Sequence, residues 1–313
     1  MPRGLDPRSC SPMPELPEVE HLRATLEQSL DGAIVRSVVV HRADVVDASG
    51  WPGRSRASMR LLAGGRLASF DRRGKQLAIS TDDGRALVVH LGMSGQVLIE
   101  PMNAPVPSGV HARHRHVVWR LRTRSGTDVR LVFRDPRRFG GLWPLRDSAA
   151  LAARWAELGV DGLRAPIADV VRALDSTERG RGRAIKAALL DQAVVAGVGN
   201  IYADESLHRA GIHPATPLGA LDEADRTTLA EIVRRVLESA VALGGSSMRD
   251  YVDADNRPGF FQTFHRVYDR AGLPCTTCLE HALESTLQTL AIAGRTTVFC
   301  PRCQPLVHKR GGA

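Results

Sequence analysis

The chain has 313 residues and a formal net charge of +8, long enough for two modest cores rather than a single large one. An isoelectric point near 9.8 suits a polyanionic partner, while the scarcity of tyrosine and phenylalanine argues against binding through many stacked bases. No apolar run approaches the about 20 residues of a membrane span, and residues 1–12 lack the apolar core of a secretion signal, so a soluble, intracellular protein is expected.

Residues 1–12 hold prolines, Gly4 and serines without periodicity; they read as a disordered leader or a misassigned start. At Met13-Pro14-Glu15-Leu16-Pro17-Glu18-Val19-Glu20 the character changes. Leu16, Val19, Leu22 and Leu26 recur at three- and four-residue steps, the stripe of an amphipathic helix. Pro17 fits the first turn, and Glu15, Glu18 and Glu20 sit where the helix dipole favours carboxylates. Were Pro14 the N-terminus after loss of Met13, its secondary amine would be substantially neutral at physiological pH and could attack an electrophilic sugar or carbonyl carbon, giving an iminium. Glu15 could then shuttle protons beside it. An ordinary acidic helix start accounts for the same residues.

Ile34 to His41, Leu61 to Phe70, Gln76 to Ser80, Ala86 to Leu91, Val97 to Glu100, His116 to Arg122 and Val129 to Phe133 are short β-branched or alternating segments separated by turn residues. They predict a mainly β domain, a two-layer sandwich, with a surface loop between Pro101 and Gly109. Three turns within it carry more than packing: Arg72-Arg73-Gly74-Lys75 clusters cations, His90 to Gly95 presents Met93, and Asp135 to Gly141 sets Arg137 and Arg138 beside Phe139. From Arg113 to Arg138 nine arginines face two acids, a density that calls for anions to offset repulsion.

Beyond Pro144 the pattern turns helical, over Ala149 to Leu158, Ile167 to Leu174 and Ile185 to Leu190. Gly197-Val198-Gly199-Asn200 then precedes a helix, and backbone N–H groups in such a turn can cradle an anion; a plain packing turn is the alternative. A long helix is expected from Asp222 to Leu243, ended by Gly244-Gly245, and Arg249 to Phe261 reads as a long functional loop. Four of the five cysteines close the chain as Cys275-x2-Cys278 and Cys300-x2-Cys303, the soft tetrahedral set of one structural Zn²⁺ per chain. A basic finger of this kind, with Arg295 before its third cysteine, is suited to a nucleic-acid backbone.

In this order, Met13 to Glu20, His90 to Gly95, Asp135 to Gly140, Gly197 to Glu205 and the four-cysteine finger resemble the formamidopyrimidine-DNA glycosylase family, which includes the endonuclease VIII type enzymes. The resemblance spans Met13 to Gln304, and Leu16 places it in the oxidised-purine branch. It implies an α+β multidomain fold: a leader at 1–13, a catalytic β-sandwich with an N-terminal helix at 14–145, a helix-two-turn-helix domain with a lesion-covering loop at 146–262, a zinc finger at 263–306 and a disordered tail at 307–313. It implies excision of 8-oxoguanine and formamidopyrimidines from double-stranded DNA, followed by β,δ-elimination at the abasic site, in a monomeric protein of the bacterial cytoplasm. By motif, Pro14 resembles the nucleophile, Glu15 the proton-transfer carboxylate, Glu18 a support for the helix start and Lys75 a basic residue assisting elimination. Met93, Arg137 and Phe139 resemble the residues that fill the gap left by an everted nucleotide, with Arg138 alongside on the DNA, while Lys186, Asn200 and Arg295 resemble phosphate ligands.

Two departures stand out. Twenty-one residues separate Cys278 from Cys300, more than the family's usual spacing, and Leu279 replaces an expected glycine; extra loop length adds little closure entropy, so metal binding is expected to survive. The leader would make Pro14 an internal amide if retained. The alternatives are an endonuclease VIII-like enzyme for oxidised pyrimidines or abasic DNA, and a non-catalytic zinc-dependent binder of damaged DNA.

Overall fold

The computed structural model describes residues 13–49, 61–105, 113–175, 180–248 and 251–306. The expected leader (but for Met13) and tail lie outside these residues, as do Val106 to Gly109 of the proline loop and Arg249. The described residues form two compact units: Met13–Glu157 with Val241–Phe260, and Leu158–Ala240 with the residues from Phe261 on. Among the described residues, those of Val241–Phe260 cluster with the β unit.

The β unit opens with α1 (Leu16–Leu30) and β1 (Ile34–Val40). Six strands follow: β2 (Leu67–Arg73), β3 (Gln76–Thr81), β4 (Ala86–His90), β5 (Gln96–Pro101), β6 (Arg115–Arg122) and β7 (Asp128–Arg134). The last strand, β8 (Gly141–Leu145), leads to helix α2 (Ser148–Ala156). Two four-stranded sheets result, ordered β1-β6-β7-β5 and β2-β3-β4-β8, with every pairing antiparallel. This is the expected sandwich. Its core joins Val35, Val97, Leu121 and Phe133 of one sheet to Phe70, Leu77, Ile79, Leu87 and Leu142 of the other, with Val19, Leu22, Leu26 and Leu30 of α1. The two-residue period of a strand sends Leu77, Ile79, Leu87 and Val89 into that core. It sends Ala78, Ala86 and Val88 to the opposite face, against Leu151 of α2.

Two elements differ from expectation. Leu61 and Leu62 are buried but have φ of 38° and 72°, so the apolar run before Leu67 is a turn, with the strand starting six residues late. β8, unread in the sequence, pairs with β4 from Gly141↔His90 to Leu145↔Ala86. As the sheet's edge strand it tolerates Pro144, which lacks an N–H to donate.

The second unit contains β9 (Val160–Asp161), α3 (Ile167–Asp175), α4 (Ile185–Leu190), β10 (Val195–Ala196), α5 (Asn200–Arg209) and most of α6 (Glu223–Ala242). The short helix α7 (Thr276–Glu280) and the hairpin β11 (Gln288–Ile292) and β12 (Arg295–Phe299) complete it. Ala293 and Gly294, at φ 49° and 71°, form the two-residue turn that matches a hairpin's twist and set Arg295 at the start of β12.

Candidate active site and metal centre

In the β unit the first turn of α1 is buried: Glu15 is 3% exposed and Glu18 1%, with Pro14 buried beside them. Carboxylates survive such burial only when hydrogen-bonded. Glu18 accepts the backbone N–H of Glu15 at 2.8 Å and that of Ser246 at 2.6 Å, while its carbonyl accepts the Tyr251 hydroxyl at 2.8 Å. Burial, then the charges of Glu18 and Asp253, push the Tyr251 phenol well above its ordinary value, so it donates at neutral pH. Gly245 is required here: at φ 81° a Cβ would lie 2.6 Å from the Glu18 carboxylate. The segment after it folds back on itself through Ser247, whose Oγ accepts the Gly259 N–H at 2.8 Å and donates to the Tyr251 carbonyl at 2.8 Å. Asp253 reaches α1 again, 3.4 Å from His21 Nε2.

The expected cation cluster resolves into two roles. Arg72 is a buried brace, with its Nε donating to Glu20 at 2.6 Å and its Nη1 to the Gly74 carbonyl at 2.9 Å, so α1 is fastened to the turn that presents Lys75. Burial opposes ionisation of Glu20, but hydrogen bonds and charge from Arg72, then Arg23, outweigh it and hold the carboxyl below its ordinary value. Lys75 is 9% exposed and acts on His90: burial first, then the charges of Lys75 and Arg154, push His90 down to about 4. The imidazole is therefore neutral at pH 7, and its Nδ1 accepts the Gly92 N–H at 3.2 Å.

The turns bearing Met93 and Arg137 to Phe139 form one rigid piece. Asp135, fully buried, accepts from the Ser94 hydroxyl at 2.6 Å and the Gly140 N–H at 2.8 Å. Ser94 Oγ in turn accepts the Arg137 N–H at 3.0 Å. A Cβ on Gly92, at φ 59°, would lie 2.3 Å from the Phe139 carbonyl carbon, so the two backbones touch. Phe139 is 58% exposed, with the Arg137 guanidinium 5.2 Å from its ring centroid, a cation–π pair. Arg138, at φ 58°, is held sideways by Asp44 at 3.1 Å.

In the second unit the four cysteine sulfurs lie within 4.8 Å of one another. Separations of 3.8 Å for Cys275–Cys303, 3.7 Å for Cys278–Cys300 and 3.4 Å for Cys278–Cys303 approach the edge of about 3.8 Å for a tetrahedron with metal–sulfur bonds of about 2.3 Å. The long Cys278–Cys300 interval does not disturb this: His281 to Glu284 turn outward, exposed, and the chain returns through the Pro274↔Thr286 bridge.

Lys186 is placed otherwise than expected. It is fully buried, its Nζ 2.6 Å from Asp204 and donating to Thr297 Oγ1 at 2.7 Å. A lysine so enclosed does not present its ammonium to a phosphate; it ties α4 to α5 and β12. Burial pushes Asp204 up to about 7, opposed by Lys186, and its other oxygen accepts the Val298 N–H at 3.0 Å. Asn200 donates to the Thr296 carbonyl at 3.0 Å, and Arg295, next along the strand, is exposed.

Against known families, residues 13–142 match the formamidopyrimidine-DNA glycosylase N-terminal domain and residues 158–252 the H2TH domain of the same enzymes. The chain belongs to the formamidopyrimidine-DNA glycosylase family. The formamidopyrimidine-DNA glycosylases of Gluconobacter oxydans and Thermomicrobium roseum are 41% and 42% identical to it, over 93% and 94% of this chain and 100% of theirs. The Lactococcus lactis Fpg in complex with abasic site containing DNA is 29% identical with a TM-score of 0.78, and MutM in complex with carbocyclic 8-oxo-G containing DNA is 30% identical with a TM-score of 0.77; each match covers 93% of this chain and 100% of the other. As a formamidopyrimidine-DNA glycosylase the protein is a DNA-binding repair enzyme acting on damaged bases, and its four-cysteine cluster is the metal-binding finger. Sequence reasoning missed Asp135, Ser94, Tyr251 and Asp253, whose partners lie far along the chain. The pairing of Asp204 with Lys186 had no sequence signal, since the polar run Asn200–Arg209 does not show which of its acids is buried or how it is satisfied.

Proposed function

We propose that the enzyme is a bifunctional glycosylase and abasic-site lyase for 8-oxoguanine and formamidopyrimidines, with Pro14 as nucleophile. The observation that carries this reading is the buried start of α1, where Glu18 anchors Glu15, next to Pro14, in the same unit as Lys75. The chemistry requires Pro14 to be the N-terminus, so the working enzyme lacks residues 1–13. The Pro14 nitrogen bonds to C1′ as the glycosidic bond breaks, and Glu15 moves protons as the base leaves and the sugar ring opens. The resulting iminium acidifies C2′; loss of that proton expels the 3′ phosphate, and a second elimination assisted by Lys75 expels the 5′ phosphate. Met93, Arg137 and Phe139 fill the space of the everted nucleotide, with Arg138 beside them. Asn200 and Arg295 contact phosphates, and Lys186 supports them from beneath.

One Zn²⁺ held by Cys275, Cys278, Cys300 and Cys303 supplies a closed structural centre for the finger; the near-tetrahedral sulfurs support that choice. The enzyme acts as a monomer in the bacterial cytoplasm. Borohydride trapping on 8-oxoguanine DNA, followed by peptide mapping of protein beginning at Pro14, tests the mechanism. The adduct is expected on Pro14, lost when one residue precedes it, and a link on Lys75 or Lys186 would overturn the assignment. An oxidised-pyrimidine duplex belongs in the same assay, because wild-type Lactococcus lactis Fpg is known in complex with oxidized pyrimidine containing DNA; faster cutting of that duplex would shift the substrate reading to pyrimidines.

A further inference from the structure

A buried imidazole lies against the cysteine cluster without belonging to it. His208, on α5, is 4% exposed, and its Nε2 is 3.5 Å from Cys275 Sγ. The set of ligand atoms within 4.8 Å of one another consists of the four sulfurs alone among the described residues, so His208 stands outside the tetrahedron. Its Nδ1 is buried and makes no hydrogen bond. One turn earlier on the same helix, Glu205 accepts the backbone N–H groups of Arg266 at 3.0 Å, Val267 at 2.9 Å and Tyr268 at 2.9 Å, fixing the chain that runs into Cys275.

We propose that His208 is a positioning residue of the metal centre, donating Nε2–H to the Cys275 thiolate; this rests on the zinc reading above. The tautomer follows from counting donors. A metal-bound thiolate carries no hydrogen and can only accept. If the ring proton sat on Nδ1, that donor would be buried without a partner and the Nε2 lone pair would face the sulfur, two unfavourable terms. With the proton on Nε2 the sulfur gains a donor and only an acceptor is left unmet. Four thiolates around a divalent ion leave a net negative charge in a largely buried site, and a hydrogen bond to one sulfur spreads it while fixing that ligand's direction. The same bond makes α5, whose first residue is Asn200, part of the metal centre.

The test uses the full-length protein beginning at Pro14, with its metal replaced by cadmium-113 or cobalt. In the unmutated protein, NMR is expected to show His208 protonated on Nε2 and a scalar coupling from cadmium to that proton through the sulfur; an Nδ1–H tautomer without coupling would overturn the proposal. His208→Phe keeps the ring's packing and removes the donor, so zinc affinity in chelator competition is expected to fall roughly 10–100-fold. The sulfur-to-cobalt charge-transfer band should move to lower energy, with partial recovery of both in His208→Gln, which retains an N–H. Unchanged affinity and band in the Phe variant would reject the role of His208 while leaving zinc in place. Unmutated protein that binds no metal tightly would overturn the zinc reading itself. Should the Phe variant not fold, the cadmium coupling decides alone.

Discussion

Replacing Asp135 by alanine removes the acceptor that joins the Met93 turn to the Arg137–Phe139 turn. Two donors lose their partner, the Ser94 hydroxyl at 2.6 Å and the Gly140 N–H at 2.8 Å, around a side chain with no exposure. Hydrogen bonds to a charged group contribute about 1.5 to 3 kcal/mol each, so the pair sets a bound of about 3 to 6 kcal/mol. Ser94 can rotate and water can enter the space left, which favours the lower part, about 3 to 4 kcal/mol, within a total stability of about 5 to 15 kcal/mol. Asp135→Asn keeps one acceptor and should lose about half as much. The sequence has no tryptophan beyond position 155, and Trp119, Trp143 and Trp155 belong to the β unit, so tryptophan fluorescence in urea reports that unit. Loosening the two turns should also slow excision of a damaged base more than cutting at a pre-formed abasic site. A loss below about 1 kcal/mol together with equal effects on both substrates would refute the view that Asp135 holds these turns as one piece.

Cys300→Ser should release zinc and unfold the finger locally while the tryptophan signal is unchanged; full metal content by elemental analysis would contradict the assignment. Arg295→Ala should reduce the slope of log K against log salt by about 0.9, since one phosphate is no longer neutralised. Lys186→Met, which strands Asp204 in the interior, should destabilise its unit by about 3 to 5 kcal/mol yet leave that slope unaltered in the folded fraction, and a slope change equal to that of Arg295→Ala would restore Lys186 as a phosphate ligand. Because Glu20 titrates below its ordinary 4.5 in the folded chain, its contribution is present above that pH and lost as pH falls through the lowered value. The stability gap between the unmutated protein and Glu20→Gln should therefore close in acid; a gap constant from pH 6 to pH 3, measured by urea titration, would exclude Glu20 as the source.

The sequence made legible what depends on near neighbours. Leucine spacing located α1, β-branched alternation located most strands, and paired cysteines located the finger, since each is a local pattern that burial or metal chemistry imposes. Leu61 and Leu62 misled because apolar residues report burial, and a turn at positive φ can be buried as well as a strand. β8 escaped because Pro144 suggested a break, which an edge strand tolerates. Lys186 resembles a phosphate ligand by its place in a motif, which does not say which way an ammonium faces; Asp204, eighteen positions later, and Thr297 hold it inward. The clamps on Glu18, spanning 228 and 233 positions, have no local signature at all.

Those long clamps also set an order of events on the ribosome. When the last strand of the β unit emerges, the Ser246 N–H and the Tyr251 hydroxyl that bond Glu18 are still to be made. At about 5 to 20 residues per second, the 228 positions between Glu18 and Ser246 take about 10 to 50 s to synthesise. During that interval the nascent sandwich carries a carboxylate without its later partners, while the intervening helices have time to collapse on their own. A chain released early, by truncation or stalling before position 246, would leave the ribosome without these two bonds to the start of α1, and quality-control proteases would meet it in that state.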